Sequence, residues 1–321
     1  MLRRAMHNPQ LHLGIIVLVP TLIWYVVLEL APIIETVWFT LYHVDISGVS
    51  SWADLIHSSY WVGLLHFQHL FNPTLNPQFW PGTLHSVIWT VLQFVYILPL
   101  GLLMAVMLAK IRHGRTLYQI AILVPFVTPT VSSALMMGKF FDPITGGVNT
   151  ALRALGLPTS QWLQDPTIAL PLAAGIGAWR WLGFYILIMA AGILNIPKDI
   201  DEAARVDGAN AWHRFWFITL PLLGHIIVLV SVLLLVNSMQ EYILPYTLTG
   251  GTQQFSMGVF QPIDYGPSGS LILLNLALYK QTFGGAFVAF GPASAGALLE
   301  LVVVLLGSIL LIKVLRPKWS Y

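Results

Sequence analysis

The sequence predicts an all-α, polytopic membrane protein with about six transmembrane helices. Three observations carry this. Hydrophobic residues make up 57% of the 321 and charged residues only 9%, with a mean hydropathy of +0.77, a surplus that no soluble domain of this size needs. Six apolar runs approach or exceed the roughly 20 residues that carry a helix across about 30 Å of hydrocarbon. Basic residues gather in alternate connections between those runs, as the positive-inside tendency requires.

The first run, residues 12–40, follows Met1-Leu2-Arg3-Arg4. This start resembles a secretory signal, but the apolar stretch is too long and lacks a small-x-small cleavage site, so an uncleaved first span is expected. Runs at 84–110, 117–140, 168–194, 222–247 and 291–315 follow, each expected to be helical because a helix satisfies its own backbone in lipid. Of the fifteen lysines and arginines, eleven fall at the ends or in alternate connections: Arg3, Arg4, Lys110, Arg112, Arg115, Lys198, Arg205, Arg214, Lys313, Arg316 and Lys318. Both termini, the second-to-third connection and the 197–221 loop are therefore expected to be cytoplasmic. Segments of about 41–83, 141–167 and 248–290 would lie outside, long enough to dock partners. The whole chain, 1–321, reads as a single membrane domain.

A net charge of +2 and short basic tracts argue against nucleic-acid binding. Without cysteine there are no disulfides or thiolate metal sites. No phosphate loop occurs: the only Gly-Lys pair, Gly138-Lys139, is followed by Phe140. No catalytic constellation, bound cofactor or metal site is expected. His66 and His69 read as either a metal pair or, preferred, an ordinary interfacial helix. Trp52, Tyr60, Trp61, Phe67, Phe79 and Trp80 read as either a binding platform or a membrane-interface belt.

The densest charge lies between Lys198 and Arg214, with Asp199, Asp201, Glu202, Arg205 and Asp207 between them. Pro197 suits a helix start, and the carboxylates that follow suit its positive end. Ala203, Ala204 and Ala209 keep the profile thin. Gly208 is either a bend or a point of close approach, and Pro221 restarts a helix as the chain re-enters the membrane. Composition alone leaves a solvated loop and a docking element both open.

The spacing goes further. Glu202-Ala203-Ala204, three residues, Gly208, nine residues, then Ile218-Thr219-Leu220-Pro221 resembles the EAA loop of permeases in ATP-binding-cassette importers. Gly63-Leu64 with Phe67, Phe141-Asp142-Pro143 with Gly147 and Asn149, Trp162-Leu163 with Asp165-Pro166, Ile196-Pro197 and Leu248-Thr249-Gly250-Gly251 extend the likeness over about residues 12–317. They are similar to the carbohydrate branch of the type I importers, the maltose and glycerol-3-phosphate permeases. The resemblance implies a second permease subunit as heterodimer partner, two ATPase subunits that use ATP and Mg, an extracytoplasmic solute-binding protein and a bacterial or archaeal cell (inner) membrane. It also implies that Glu202, Ala203, Ala204, Gly208, Ile218, Leu220 and Pro221 couple to the ATPase, with Glu202 facing a basic residue there. Two departures, His85-Ser86 at the opening of the second span and a long stretch from Thr252 to Gly291, weaken transfer of any particular sugar.

Ionisable groups inside a span cost about 2.5–3.5 kcal/mol at its centre and invite a functional reading. Arg180 lies in Trp179-Arg180-Trp181-Leu182-Gly183-Phe184-Tyr185, where Arg180, Trp181, Gly183, Phe184 and Tyr185 could hold a hydroxyl-rich ligand. Equally, Arg180 could pair with a carboxylate or snorkel. Asn237, Gln240 and Glu241 interrupt the fifth run. The matching stretch of maltose-type permeases supplies sugar contacts, and a spacing of three puts Asn237 and Gln240 on one helix face; pore lining and interhelical bonding both fit. Glu300 reads as a cavity residue or as a contact with the second permease. An ion-coupled secondary transporter or channel is the alternative, disfavoured by the lack of a repeat between the halves. The solute itself stays open among sugars, polyols and phosphorylated compounds.

Overall fold

The computed structural model describes residues 9–44, 52–250, 266–283 and 290–315. Four helices are long and apolar enough to cross a membrane, or up to six spans if each of two bent pairs counts as one. Contacts divide the chain into two units, Met1–Asn76 with Gln281–Leu299, and Pro77–Lys280 with Glu300–Tyr321.

In the first unit, helical structure runs from Pro9 to Leu41 with a π turn at Val26–Leu30. None of its most apolar window within Ile16–Leu41 is buried by the rest of the chain. Two three-residue strands, Tyr42–Val44 and Ser59–Trp61, pair antiparallel, a small addition to the helical expectation. Aromatic cross-strand contact explains it: Tyr42 faces Trp61 edge-on at 5.2 Å. The helix Leu65–Phe71 follows. Its His66 is buried, approaches the Tyr42 carbonyl at 3.3 Å through Nε2, and packs so closely on Gly291 that a β-carbon there would collide with its ring. Burial pushes the His66 pKa down. The ring of His69 stands 6.4 Å away, and no group of three His, Asp or Glu among the described residues could hold a metal ion.

In the second unit, the helix Ala169–Leu194 packs on Phe79–Lys110 and on Arg115–Val127. Small residues make these contacts close. A β-carbon on Gly177 would sit 3.0 Å from both Trp89 and Gln93, and one on Gly183 only 2.0 Å from the Ile122 carbonyl oxygen. Gln93 fixes the first contact by donating from Nε2 to the Ala174 carbonyl at 2.9 Å. Ser86 and His85 reach the segment near 272–274: Ser86 Oγ accepts the Leu274 N–H at 2.8 Å, and His85 Nδ1 lies 3.1 Å from the Ile272 carbonyl. The departing pair at the start of the second span therefore ties that span to the segment at 272–274.

Two of the six expected spans are not single straight helices. The third is Arg115–Val127 and Thr130–Phe140, bent by 89°. Thr128, which precedes Pro129, is extended with ψ 133°, as a residue before proline prefers. The fifth was expected as one helix over 222–247, but Ala211–Leu222 and Gly224–Met239 are bent by 67° and the helix ends at Met239. A short helix, Ile243–Leu248, follows. Pro245 has no N–H to give to the carbonyl of residue 241, so the helix cannot continue through this point without loss. Pro221 likewise does not start the span: it lies in Leu220–Leu222, just after a π turn at Phe215–Thr219, and Gly224 opens the membrane helix.

The segment from Phe141 to Thr167 is knotted by Asn149, which donates to the carbonyls of Pro143 and Ser160 at 2.9 and 2.8 Å and accepts from Trp162 Nε1 at 2.7 Å. Asp142 accepts from the backbone and hydroxyl of Thr145 at 2.7 and 2.8 Å. These bonds hold its carboxyl below the ordinary range, and bonds from Thr167 do the same for Asp165.

Candidate functional site

The charged island is one preorganised unit. Its first helix, Lys198–Val206, starts after Pro197 and places Asp199 and Asp201 in its first turn, where carboxylates are favoured. It ends in a Schellman turn: the N–H of Gly208 bonds to Arg205 at 3.1 Å and that of Ala209 to Ala204 at 2.9 Å. Gly208 has φ +80° with open space around its α-carbon, so of the two readings of this glycine the geometry fits the bend. Asn210 caps the next helix, Ala211–Arg214, by accepting the His213 N–H at 2.8 Å. Asp201 ties the two helices together, meeting Arg205 at 2.8 Å and Arg214 at 2.8 Å. The i,i+4 spacing of Asp201 and Arg205 was visible in the sequence, but the bond to Arg214 was not.

Ala204 is buried against the island while Glu202 and Ala203 face outward. Glu202 is in no salt bridge among the described residues. Val206 and Trp212 are 87% and 71% exposed. Ile218 and Leu220 are half-buried and Pro221 exposed. The surface thus offers a free carboxylate beside uncovered apolar side chains.

The polar set is dispersed over three helices and the connection just past the last of them, and converges on one small cavity. Trp89, Gln93, Trp181, Tyr185, Asn237 and Glu241 line it, with Trp89, Gly177 and Trp181 about 12–18 Å from the nearer ends of the second and fourth helices. Its volume of about 10 Å³ is room for one water. Asn237 donates from Nδ2 to the Tyr185 hydroxyl at 3.2 Å, and Ser238 beside it bonds Thr90 at 3.1 Å. Glu241 Oε1 accepts the N–H of Leu244 at 3.1 Å and so caps the short helix.

The expected residues divide. Trp181, Tyr185, Asn237 and Glu241 are brought together. Gln240 is not: the helix stops at Met239, Gln240 is its exposed C-cap, and the shared face expected with Asn237 does not form. Gly183 packs against the third span instead of the cavity, and Phe184 stacks on Phe126 at 4.9 Å. Arg180 is buried beside the cavity without lining it. Glu300 accepts from Asn275 at 2.9 Å, which also donates to the Met239 carbonyl at 3.2 Å. Trp89 and Gln93 were not singled out from the sequence, although Gln93 is a lone amide in an apolar run. A larger cavity of about 690 Å³, walled by Gly138, Lys139, Asp142, Gln164 and Thr249 among others, lies among the connecting segments.

Residues 97–320 match the family described as "Binding-protein-dependent transport system inner membrane component". The chain belongs to this family. It is thus a membrane permease component of a binding-protein-dependent importer. The permease is 30% identical over 254 residues to the arabinooligosaccharides transport system permease protein AraP of Bacillus subtilis (strain 168), covering 78% of this chain and 75% of that one. It is 28% identical over 304 residues to the trehalose/maltose transport system permease protein MalF of Thermococcus litoralis, covering 95% and 94%. The fold is that of a chain in a crystal structure of a bacterial ABC transporter involved in the import of the acidic polysaccharide alginate, with a TM-score of 0.72, 23% identity and 96% of each chain covered.

Proposed function

We propose that the permease carries a sugar or sugar-like solute, received from an extracytoplasmic binding protein, through a path that includes Trp181, Tyr185, Asn237 and Glu241. Convergence of aromatic faces with amide, hydroxyl and carboxylate groups between the second, fourth and fifth helices carries this reading, because such sets suit hydroxyl-rich ligands. Relatives named for arabinooligosaccharide, trehalose/maltose and lactose transport support the solute class. A second permease subunit would complete the path, and two separate ATPase subunits would supply ATP hydrolysis.

The island is the proposed docking surface for an ATPase. Its free Glu202, exposed Val206 and rigid Gly208 turn support that role, with the island and both termini on the cytoplasmic side. Family membership decides against the ion-coupled alternative. The direct test is uptake by the reconstituted transporter, with its binding protein, over a panel of neutral and acidic oligosaccharides. Saturable, ATP-dependent uptake of at least one sugar is expected; transport of none, with active uptake of a non-carbohydrate solute, would overturn the solute class. Orientation is read from single cysteines in this thiol-free chain: Ser58→Cys and Ser160→Cys should react with an impermeant reagent from outside, and Asn210→Cys should not.

A further inference from the structure

The first residues of the helix Leu274–Phe283 meet three membrane helices in a crowded place. Leu271, Leu273 and Leu276 are buried, and a β-carbon on Gly82 of the second span would sit 3.3 Å from the Leu274 α-carbon. The Leu274 N–H, which no turn of its own helix can satisfy, goes to the buried Ser86 Oγ of the second span at 2.8 Å. Asn275 Nδ2 then donates twice, to the Met239 carbonyl at 3.2 Å and to Glu300 Oε1 in the last span at 2.9 Å. An amide nitrogen carries two hydrogens, so this one is fully committed. A carbonyl only accepts, which fixes the end of the amide that faces Met239.

Both acceptors rely on Asn275. The fifth helix ends at Met239, where its last carbonyls lose their helical partners. The Gln240 N–H meets the Val236 carbonyl at 3.3 Å and the Glu241 N–H meets that of Ser238 at 3.5 Å, while Asn275 serves Met239. Glu300 is 6% exposed, with Asn275 as its donor, and a buried acceptor left unmatched is costly. Met239 also stands among the residues that wall the small cavity, with Asn237 and Ser238 before it and Glu241 after it. Whatever pins Met239 pins them.

We infer that Asn275 is a positioning residue, which pins the end of the fifth helix between the second and last spans and so holds the small cavity at the size of one water. Asn275 does not line that cavity and acts on transport through the backbone at Met239. The inference rests on the proposed solute path, since the cavity must widen before a sugar can pass. The helix end that carries Asn237 cannot move away from its neighbours while one amide bridges Met239 to Glu300 and the adjoining Leu274 is held by Ser86.

The test uses Ser238→Cys in the otherwise cysteine-free chain, within the full transporter in membranes, and reads its labelling by a small thiol reagent. Asn275→Leu, similar in size but without donors, should raise the labelling rate about tenfold in the nucleotide-free state. With ATP bound it should label as the parent does, because the path is then open in both. Asn275→Ser, too short to span the two acceptors, should behave like Asn275→Leu and carries the test if that variant fails to assemble. Glu300→Gln keeps an acceptor for Asn275 and should label at the parent rate. Parent-like labelling of the Asn275 variants without nucleotide would overturn the inference. So would an equal rise in both nucleotide states, which marks general loosening, or labelling of Glu300→Gln as fast as that of Asn275→Leu, which would assign the effect to the carboxylate and not to the bridge. Failure of the solute reading is distinguishable: it appears as absent sugar uptake in the parent, whereas the labelling differences are measured without solute.

Discussion

The charged island and the cavity between the helices are both polar sets in an apolar chain, and they are built in opposite ways. In the island, nearly every bond joins residues close in sequence: the Schellman turn at Gly208, the Asn210 cap and the Asp201–Arg205 pair. In the cavity most bonds are long-range, joining Asn237 to Tyr185, Ser238 to Thr90 and Gln93 to Ala174. The island can therefore move as a preformed body, while the cavity changes shape whenever its helices shift. That is the division expected of a part that receives a push and a part that answers it.

The largest effect should come from breaking the cavity's frame. Gly183→Leu puts a side chain where a β-carbon already meets the Ile122 carbonyl at 2.0 Å, so the fourth span must leave the third. Loss of most folded, assembled transporter in membranes is expected, read by size-exclusion recovery; normal recovery would mean the two helices are not in this contact. Next is the island's turn. Gly208→Val forces a side chain into φ +80°, costing about 1–2 kcal/mol, and should leave the chain membrane-inserted while uptake is lost and ATPase association weakens. Full uptake with undiminished ATPase co-purification would sink the docking role.

This contrast also explains what the sequence made legible. The island was readable because a proline start, first-turn carboxylates, small residues and a bend glycine act over a few residues, and the six apolar runs were readable for the same reason. The bend at Thr128-Pro129 and the helix end after Met239 carry their signals in Pro129 and Pro245, yet hydropathy averages across them, and the expected helix runs on through Gln240. Gly183 reads as part of a ligand-holding stretch of the fourth span because nothing local reveals that it packs on Ile122. The family likeness in Phe141-Asp142-Pro143, Asn149 and Trp162 was plain as a pattern, but its meaning as a hydrogen-bonded fold of one connecting segment needed the structure.

Smaller effects sharpen the comparison. Asn237→Ala removes the bond to Tyr185 at the cavity, worth about 1–3 kcal/mol if left unsatisfied, and should lower uptake or alter solute preference while assembly and nucleotide-dependent ATPase activity persist. Normal transport of every solute would make Asn237 a packing group. The smallest effect is expected at Asp142. Because its carboxyl titrates below the ordinary value of 3.8 through bonds from Thr145, its contribution is complete above that value and fades as pH falls through the lowered one. Proteolysis of the 141–167 segment should thus be flat from neutral pH to the mildly acidic range and rise only in strong acid. Asp142→Asn should remove that acid step; a step near neutrality would point to another group.

The central claim is that the island drives the cavity, and one measurement addresses it directly. Asn237→Cys in the assembled transporter should change its thiol-labelling rate severalfold between nucleotide-free and ATP-bound states, and Glu202→Ala should abolish that change while the chain stays inserted. The same ATP-dependent shift with and without Glu202, at full ATPase occupancy, would contradict the account.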